Sequence, residues 1–296
     1  TAALAIAMGM LVPVAMVLGW LWVDSRRARW VLSFLLAAAV GASVASVAMG
    51  RPVPSLALHL LLVFVLSIAV GLVSLWVAAL RTSWRTGKNG QPAYLAHNIP
   101  WDKVTHLNYA FAHVDAQHKV SIGNPLAPDN AATNMEWPGV AGAEMDPQFS
   151  FKGHFNQLNK FKKQHPGVKT LVSIGGWAET GGYFDDNGNR VASGGFYSMT
   201  TNSDNSVNVA GINTFADSVV TFLRTYSFDG ADIDYEYPSS MKDSGNPDDF
   251  AISNARRAGL MASYQVLMKT LREKLDAASV ADGKHYLLTI ASPSSG

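Results

Sequence analysis

Phe228-Asp229-Gly230-Ala231-Asp232-Ile233-Asp234-Tyr235-Glu236-Tyr237-Pro238 decides how the rest of this chain is read. Its acids alternate with apolar residues. As a β-strand, a period of two puts Asp232, Asp234 and Glu236 on one face and Ala231, Ile233 and Tyr235 on the other. Neighbouring carboxyls on the first face then lie about 7 Å apart. Carboxylates this close repel each other, so one or more should hold a proton near neutral pH. A carboxyl kept protonated can act as a general acid. A solvated acidic edge strand is the plainer reading, and the apolar opposite face argues against it. A calcium loop starting at Asp232 would need Gly where Tyr237 stands.

The order Asp229-Gly230-x-Asp232-x-Asp234-x-Glu236-Tyr237-Pro238 resembles the catalytic signature of glycoside hydrolase family 18, the chitinase family. A second stretch agrees. Val168–Ile174 is a largely apolar strand that delivers Ser173-Ile174-Gly175-Gly176-Trp177 some sixty residues earlier. It resembles the family's Ser-x-Gly-Gly signature, and paired glycines let backbone approach a ligand or a neighbouring strand closely.

Working outward, Val104–Ala112 reads as a strand with Leu107, Tyr109 and Phe111 on one face. From the residues alone, Tyr109 and Phe111 are as readily plain core as site. The resemblance makes an aromatic at Phe111 part of the sugar site. Residues 121–149 read as a long loop and a wall of a cleft. Phe151–Gln164 follows a helical pattern with lysines at its end and Pro166-Gly167 beyond. Residues 181–208 read as a second polar loop, Val209–Tyr226 as a helix, residues 247–277 as one long helix, and Tyr286–Ala291 as a strand. Alternating strands and helices imply a parallel sheet with right-handed crossovers, and functional residues at the C-terminal strand ends fit a (β/α)₈ TIM barrel. The resemblance covers residues 83–296 and implies about strands 1–5 of that barrel, with a first strand near Leu75–Leu80. The family's later Tyr-Asp pair and late Trp have no counterpart before Gly296. Residues 83–296 alone are therefore expected to fold poorly and to turn over little substrate.

Residues 1–80 are a different material. They hold four Arg, no Lys and one acid, Asp24, against 19 basic and 21 acidic residues in 81–296. Three apolar runs, at about 3–23, 30–50 and 56–76, each exceed or match the roughly 18 residues that suggest a membrane helix. The expected fold class is thus a partial α/β barrel preceded by three transmembrane helices, with domains 1–80 and 81–296. That implies a membrane-anchored protein whose catalytic domain is extracytoplasmic. The arginines of Asp24–Arg29 argue for the other orientation. An alternative is that residues 1–80 come from an unrelated membrane protein, joined by gene fusion or by an error of sequence assembly.

The chain has no Cys, so disulfides and thiolate sites are excluded, and its net charge of +1 argues against a nucleic-acid partner. The eight His lack metal-ligand spacing, and no cofactor is expected. The resemblance implies a chitinase that cleaves β-1,4-linked N-acetylglucosamine polymers with the substrate's own N-acetyl oxygen as nucleophile. In that reading Glu236 protonates the leaving oxygen, Asp234 holds the acetamide N–H, and Asp232 shares a proton with Asp234. Tyr237, Trp177, Phe111 and Tyr109 contact sugar, while Asp229, Ser173, Gly175 and Gly176 support the acids from behind. The alternatives are an enzyme of the same family acting on N-linked glycans, a non-catalytic chitin-binding lectin, and an inactive half-barrel.

Overall fold

The computed structural model describes residues 81–82, 86–87 and 93–293, all within the unit Leu80–Gly296. Its strands are β1 (Arg81–Thr82), β2 (His106–Val114), β3 (Val120–Ser121), β4 (Lys169–Gly175), β5 (Tyr183–Phe184), β6 (Arg190–Val191), β7 (Gly230–Asp234) and β8 (Leu287–Ile290). Its helices are α1 (Gly153–Gln164), α2 (Gly195–Thr200), α3 (Val209–Tyr226), α4 (Phe250–Arg256) and α5 (Leu260–Asp282). Five strands form one parallel sheet in the order β1-β2-β4-β7-β8, and β3 adds antiparallel to β2. Parallel neighbours need crossovers, and α1, α3 and α5 supply them between β2, β4, β7 and β8. This is the barrel-like α/β arrangement expected for strands 1–5.

One part of the expected fold class is corrected. Among the described residues no helix is long and apolar enough to cross a membrane, which overturns the three membrane helices as part of the fold. The runs at 3–23, 30–50 and 56–76 themselves lie outside the described residues. The first described strand is Arg81–Thr82, in register with Tyr109 and Ala110 of β2, whereas the expected Leu75–Leu80 lies outside the described residues.

The crossover helices form where their apolar stripes meet the sheet. On α3, Ile212, Phe215, Val219, Phe222 and Leu223 are all buried, as the helical spacing predicts. Asn208 caps the helix by accepting the Gly211 N–H at 3.0 Å, and Ser227 ends it in the left-handed region with φ 59°. Phe228 then plugs an aromatic cluster. The Phe155 ring of α1 lies 4.9 Å from Phe228, Tyr226 and Tyr109 alike, and Phe222 stacks behind them. Edge-on aromatic pairs at this spacing add to the area they bury. The decisive stretch is therefore anchored at its start before the acids begin.

The long helix expected over 247–277 is instead three pieces: a 3₁₀ turn at Pro247–Asp249, then α4, then α5. The break falls at Gly259, where a Cβ would stand 2.2 Å from the Asn205 carbonyl oxygen. Backbone passing this close admits only glycine. The loop expected over 181–208 also carries structure, the β5–β6 hairpin and α2.

Candidate active site

Strand β7 is buried along its whole length, and its side chains split by parity as the sequence pattern requires. Tyr235, just past the strand, points into the helical layer. It stacks on Phe196 at 4.8 Å, meets Tyr264 of α5 edge-on, and its hydroxyl lies 3.2 Å from Thr200 Oγ1. Burial pushes its phenol far up, so it stays neutral. Asp232 and Asp234 point the other way, each 7% exposed, and Glu236 follows half-buried.

Asp232 is held by three donors from three other strands. Asn108 Nδ2 of β2 and Ser173 Oγ of β4 each donate to Oδ2 at 2.8 Å, and Thr289 Oγ1 of β8 donates to Oδ1 at 2.6 Å. Register explains two of the three: Ser173 and Thr289 lie in one row with Asp232 across β4, β7 and β8, while Asn108 reaches in from two residues before Ala110, the β2 member of that row.

Asp234 is treated in the opposite way. Its carboxyl is pushed up to about 8, first by burial, then by the charge of Asp232, a hydrogen bond with it, and the charge of Glu236. Its Oδ1 is buried and has no hydrogen-bond partner among the described residues. The raised pKa places a proton on Asp234 near neutral pH. Asp232 and Asp234 thus lie on one face in unequal surroundings.

The paired glycines close the site from the β4 side. Gly175 has φ +95° and its absent Cβ would strike Phe196 at 2.4 Å; Gly176 has φ +81° and would strike the Phe111 ring at 2.9 Å. Both positions therefore require glycine for conformation and for space. The Gly176 N–H donates to Asp234 O at 2.8 Å, which extends the β4–β7 pairing by one bond. Trp177 is 42% exposed, with its ring centroid 6.3 Å from that of Tyr237 in an edge-on arrangement. Its loop is clamped. Asn246 Nδ2 donates to Trp177 O at 3.0 Å, Asp249 Oδ2 accepts the Gly181 N–H at 3.0 Å, and Arg190 bridges Ala178 O to Asp249.

Two expected site residues stand elsewhere. Tyr109 is 1% exposed and packs against His154 and Phe155 of α1. The register of β2 on β4 shifts between Ala110 and Ala112, so Phe111 does not share the face of Tyr109. Phe111 covers Gly176, and Tyr109 is core that closes one side of a small cavity beside Phe111, Asn130 and Asp186. Asp229 lies just before β7, at the end remote from Asp234. There Lys162 Nζ donates to its Oδ2 at 3.0 Å and the Thr170 N–H does so at 2.9 Å. It pins α1 and β4 to β7 rather than supporting the acids.

Asn108, Thr289 and Thr180 were not singled out from the sequence. The first two carried a signal, a lone polar residue inside an apolar strand. Thr180 carried none.

The family described as glycosyl hydrolases family 18 matches residues 78–296. A crystal structure of a family GH18 chitinase from Chromobacterium violaceum is 62% identical, with a TM-score of 0.72, over 73% of this chain and 32% of that one. Chitinase A1 of Niallia circulans is 35% identical over 72% of this chain, and a probable endochitinase of Caenorhabditis elegans is 27% identical over 73%. This chain spans 29% and 26% of the length of those two relatives. Because the family match runs over well more than half of its residues, the chain belongs to glycosyl hydrolases family 18.

Proposed function

We propose that this chain carries the acid–base half of a glycoside hydrolase that cleaves β-1,4-linked N-acetylglucosamine chains with retention. Glu236 donates a proton to the leaving glycosidic oxygen. The substrate's N-acetyl oxygen attacks the anomeric carbon from the opposite side and forms a cyclic oxazolinium ion. Asp234 accepts the acetamide N–H, orients that attack, and stabilises the cation as it forms. Water then opens the ring, with Glu236 now acting as base.

The observation that carries this reading is Asp234 Oδ1. A buried polar atom without a partner costs stability, and a site tolerates it where a ligand supplies the missing group. An amide N–H from the sugar meets that need. As the N–H arrives and positive charge grows on the acetamide, the proton on Asp234 can pass to Asp232, which leaves a carboxylate facing the cation. In a dry site that attraction is worth far more than in water. The exposed face of Trp177 offers a stacking surface for a sugar ring, with the edge of Tyr237 beside it.

Relatives named as chitinases favour chitin as the polymer. The test is hydrolysis of N-acetylglucosamine oligomers by the intact protein, with the product anomer read by NMR in the first turnovers. Retention is expected, and Glu236→Gln should cost about 10²–10⁴-fold in rate. Inversion, or unchanged turnover in that variant, overturns the reading. Parallel assays on N-linked glycans separate the two substrate classes.

A further inference from the structure

We propose that Thr180 is a positioning residue for Glu236, tying the backbone that leaves β7 back to the end of β4. The proposal rests on the acid role assigned to Glu236 above. The last register pair between the two strands is Gly175 with Asp234. Beyond it the Gly176 N–H still reaches Asp234 O, and then β4 turns away toward Trp177. From here on, among the described residues, no strand lies beside Glu236 on the β4 side. Thr180 fills that place with a side chain. Its Oγ1 accepts the Glu236 N–H at 3.0 Å, donates to Gly176 O at 3.0 Å, and stands 3.4 Å from Asp234 O.

A hydroxyl suits this point because it can donate one hydrogen bond and accept another at the same time. Thr180 is itself immobilised. It is fully buried, and its carbonyl oxygen accepts the Phe196 N–H at 2.6 Å from the first turn of α2. The Cβ that Gly195 lacks would lie 2.5 Å from the same oxygen, so the approach of α2 to Thr180 depends on that glycine. The hydroxyl therefore transmits the position of a rigid loop to the backbone of the acid. A general acid works only within hydrogen-bond reach of its target, and a misplacement of about 1 Å can cost about 10²-fold.

The experiment compares two substrates in the intact protein. In an N-acetylglucosamine oligomer the departing sugar needs protonation. In a nitrophenyl glycoside of the same sugar the phenolate leaves without it. Thr180→Val keeps the shape and removes the hydroxyl; Thr180→Ser keeps the hydroxyl. The valine variant should lose about 10–100-fold in kcat on the oligomer, much less on the nitrophenyl glycoside, with KM little changed on either. The serine variant should restore the oligomer rate. A partly unfolded sample lowers both rates equally, so the ratio reports on the acid alone.

Equal losses on both substrates, or none, would overturn the proposal. Glu236→Gln run on the same pair keeps the underlying reading separate. If it too shows no preference between leaving groups, the acid role of Glu236 fails. If it shows the preference and Thr180→Val does not, only the role of Thr180 fails.

Discussion

Ser173 Oγ sits 2.8 Å from Asp232 Oδ2, and the two residues face each other in register on neighbouring parallel strands. The second glycine-rich signature and the acid row are thus one object, joined by a hydrogen bond at their centres. Ser173→Ala removes one of three donors to Asp232. A hydrogen bond to a charged group contributes about 1.5–3 kcal/mol, so kcat should fall about 10–100-fold with the fold intact. Steady-state kinetics beside a melting curve checks this, and an unchanged kcat would remove Ser173 from the acid pair.

The raised carboxyl of Asp234 makes a prediction about stability. Its folded value, about 8, stands above the ordinary 3.8, so the native state binds a proton that the unfolded chain has lost. That contribution is complete below about pH 4 and disappears as pH rises through 8. Asp234→Asn removes the titration. The variant's melting temperature relative to wild type should therefore rise between pH 5 and pH 8 and level off above that. A difference that stays constant over this range would show that Asp234 is not held protonated.

Lys162 and Asp229 predict the reverse pattern, a loss of stability without a loss of chemistry. The pair is largely buried at the end of β7 remote from Asp234, and desolvation lowers the lysine's pKa. Lys162→Met strands a carboxylate that also accepts the Thr170 N–H. Breaking a pair of this kind costs about 3–5 kcal/mol, the lower end applying here because both groups keep some solvent. Chemical denaturation measures that cost. The kcat of the folded fraction should stay within about twofold, given by active-site titration.

Trp177 is the most exposed aromatic at the site, its backbone held by Asn246 and the neighbouring clamp and its ring edge-on to Tyr237. Trp177→Ala should raise KM for longer oligomers by about tenfold, the loss of about 1–1.5 kcal/mol of aromatic contact, and change little for the shortest substrate. A length-dependent KM series decides whether this ring is a sugar platform.

Much of the site was legible because β-strand parity is a strict rule. Alternation placed Asp232 and Asp234 on one face and Ile233 on the other, and the structure keeps that split. The same rule misled at β2. A register shift after Ala110 separates Phe111 from Tyr109, and a shift of one residue reverses every side chain beyond it. Proximity in sequence misled at Asp229, which is near the acids along the chain yet lies one strand length below Asp234. Thr180 was out of reach because its role depends on how a loop folds back over a strand end. The two cis peptide bonds, Ala110–Phe111 and Glu236–Tyr237, were equally hidden, since neither precedes proline.

The central claim is that the substrate's acetamide is the nucleophile, held by Asp234. It is tested most directly by initial rates of the intact protein on aryl N-acetylglucosamine oligomers whose N-acetyl group carries zero, one, two or three fluorines. Each fluorine draws electron density from the carbonyl oxygen. The account predicts a steep fall in kcat/KM with every fluorine added. A flat series would mean that an enzyme carboxylate attacks instead, and would contradict it.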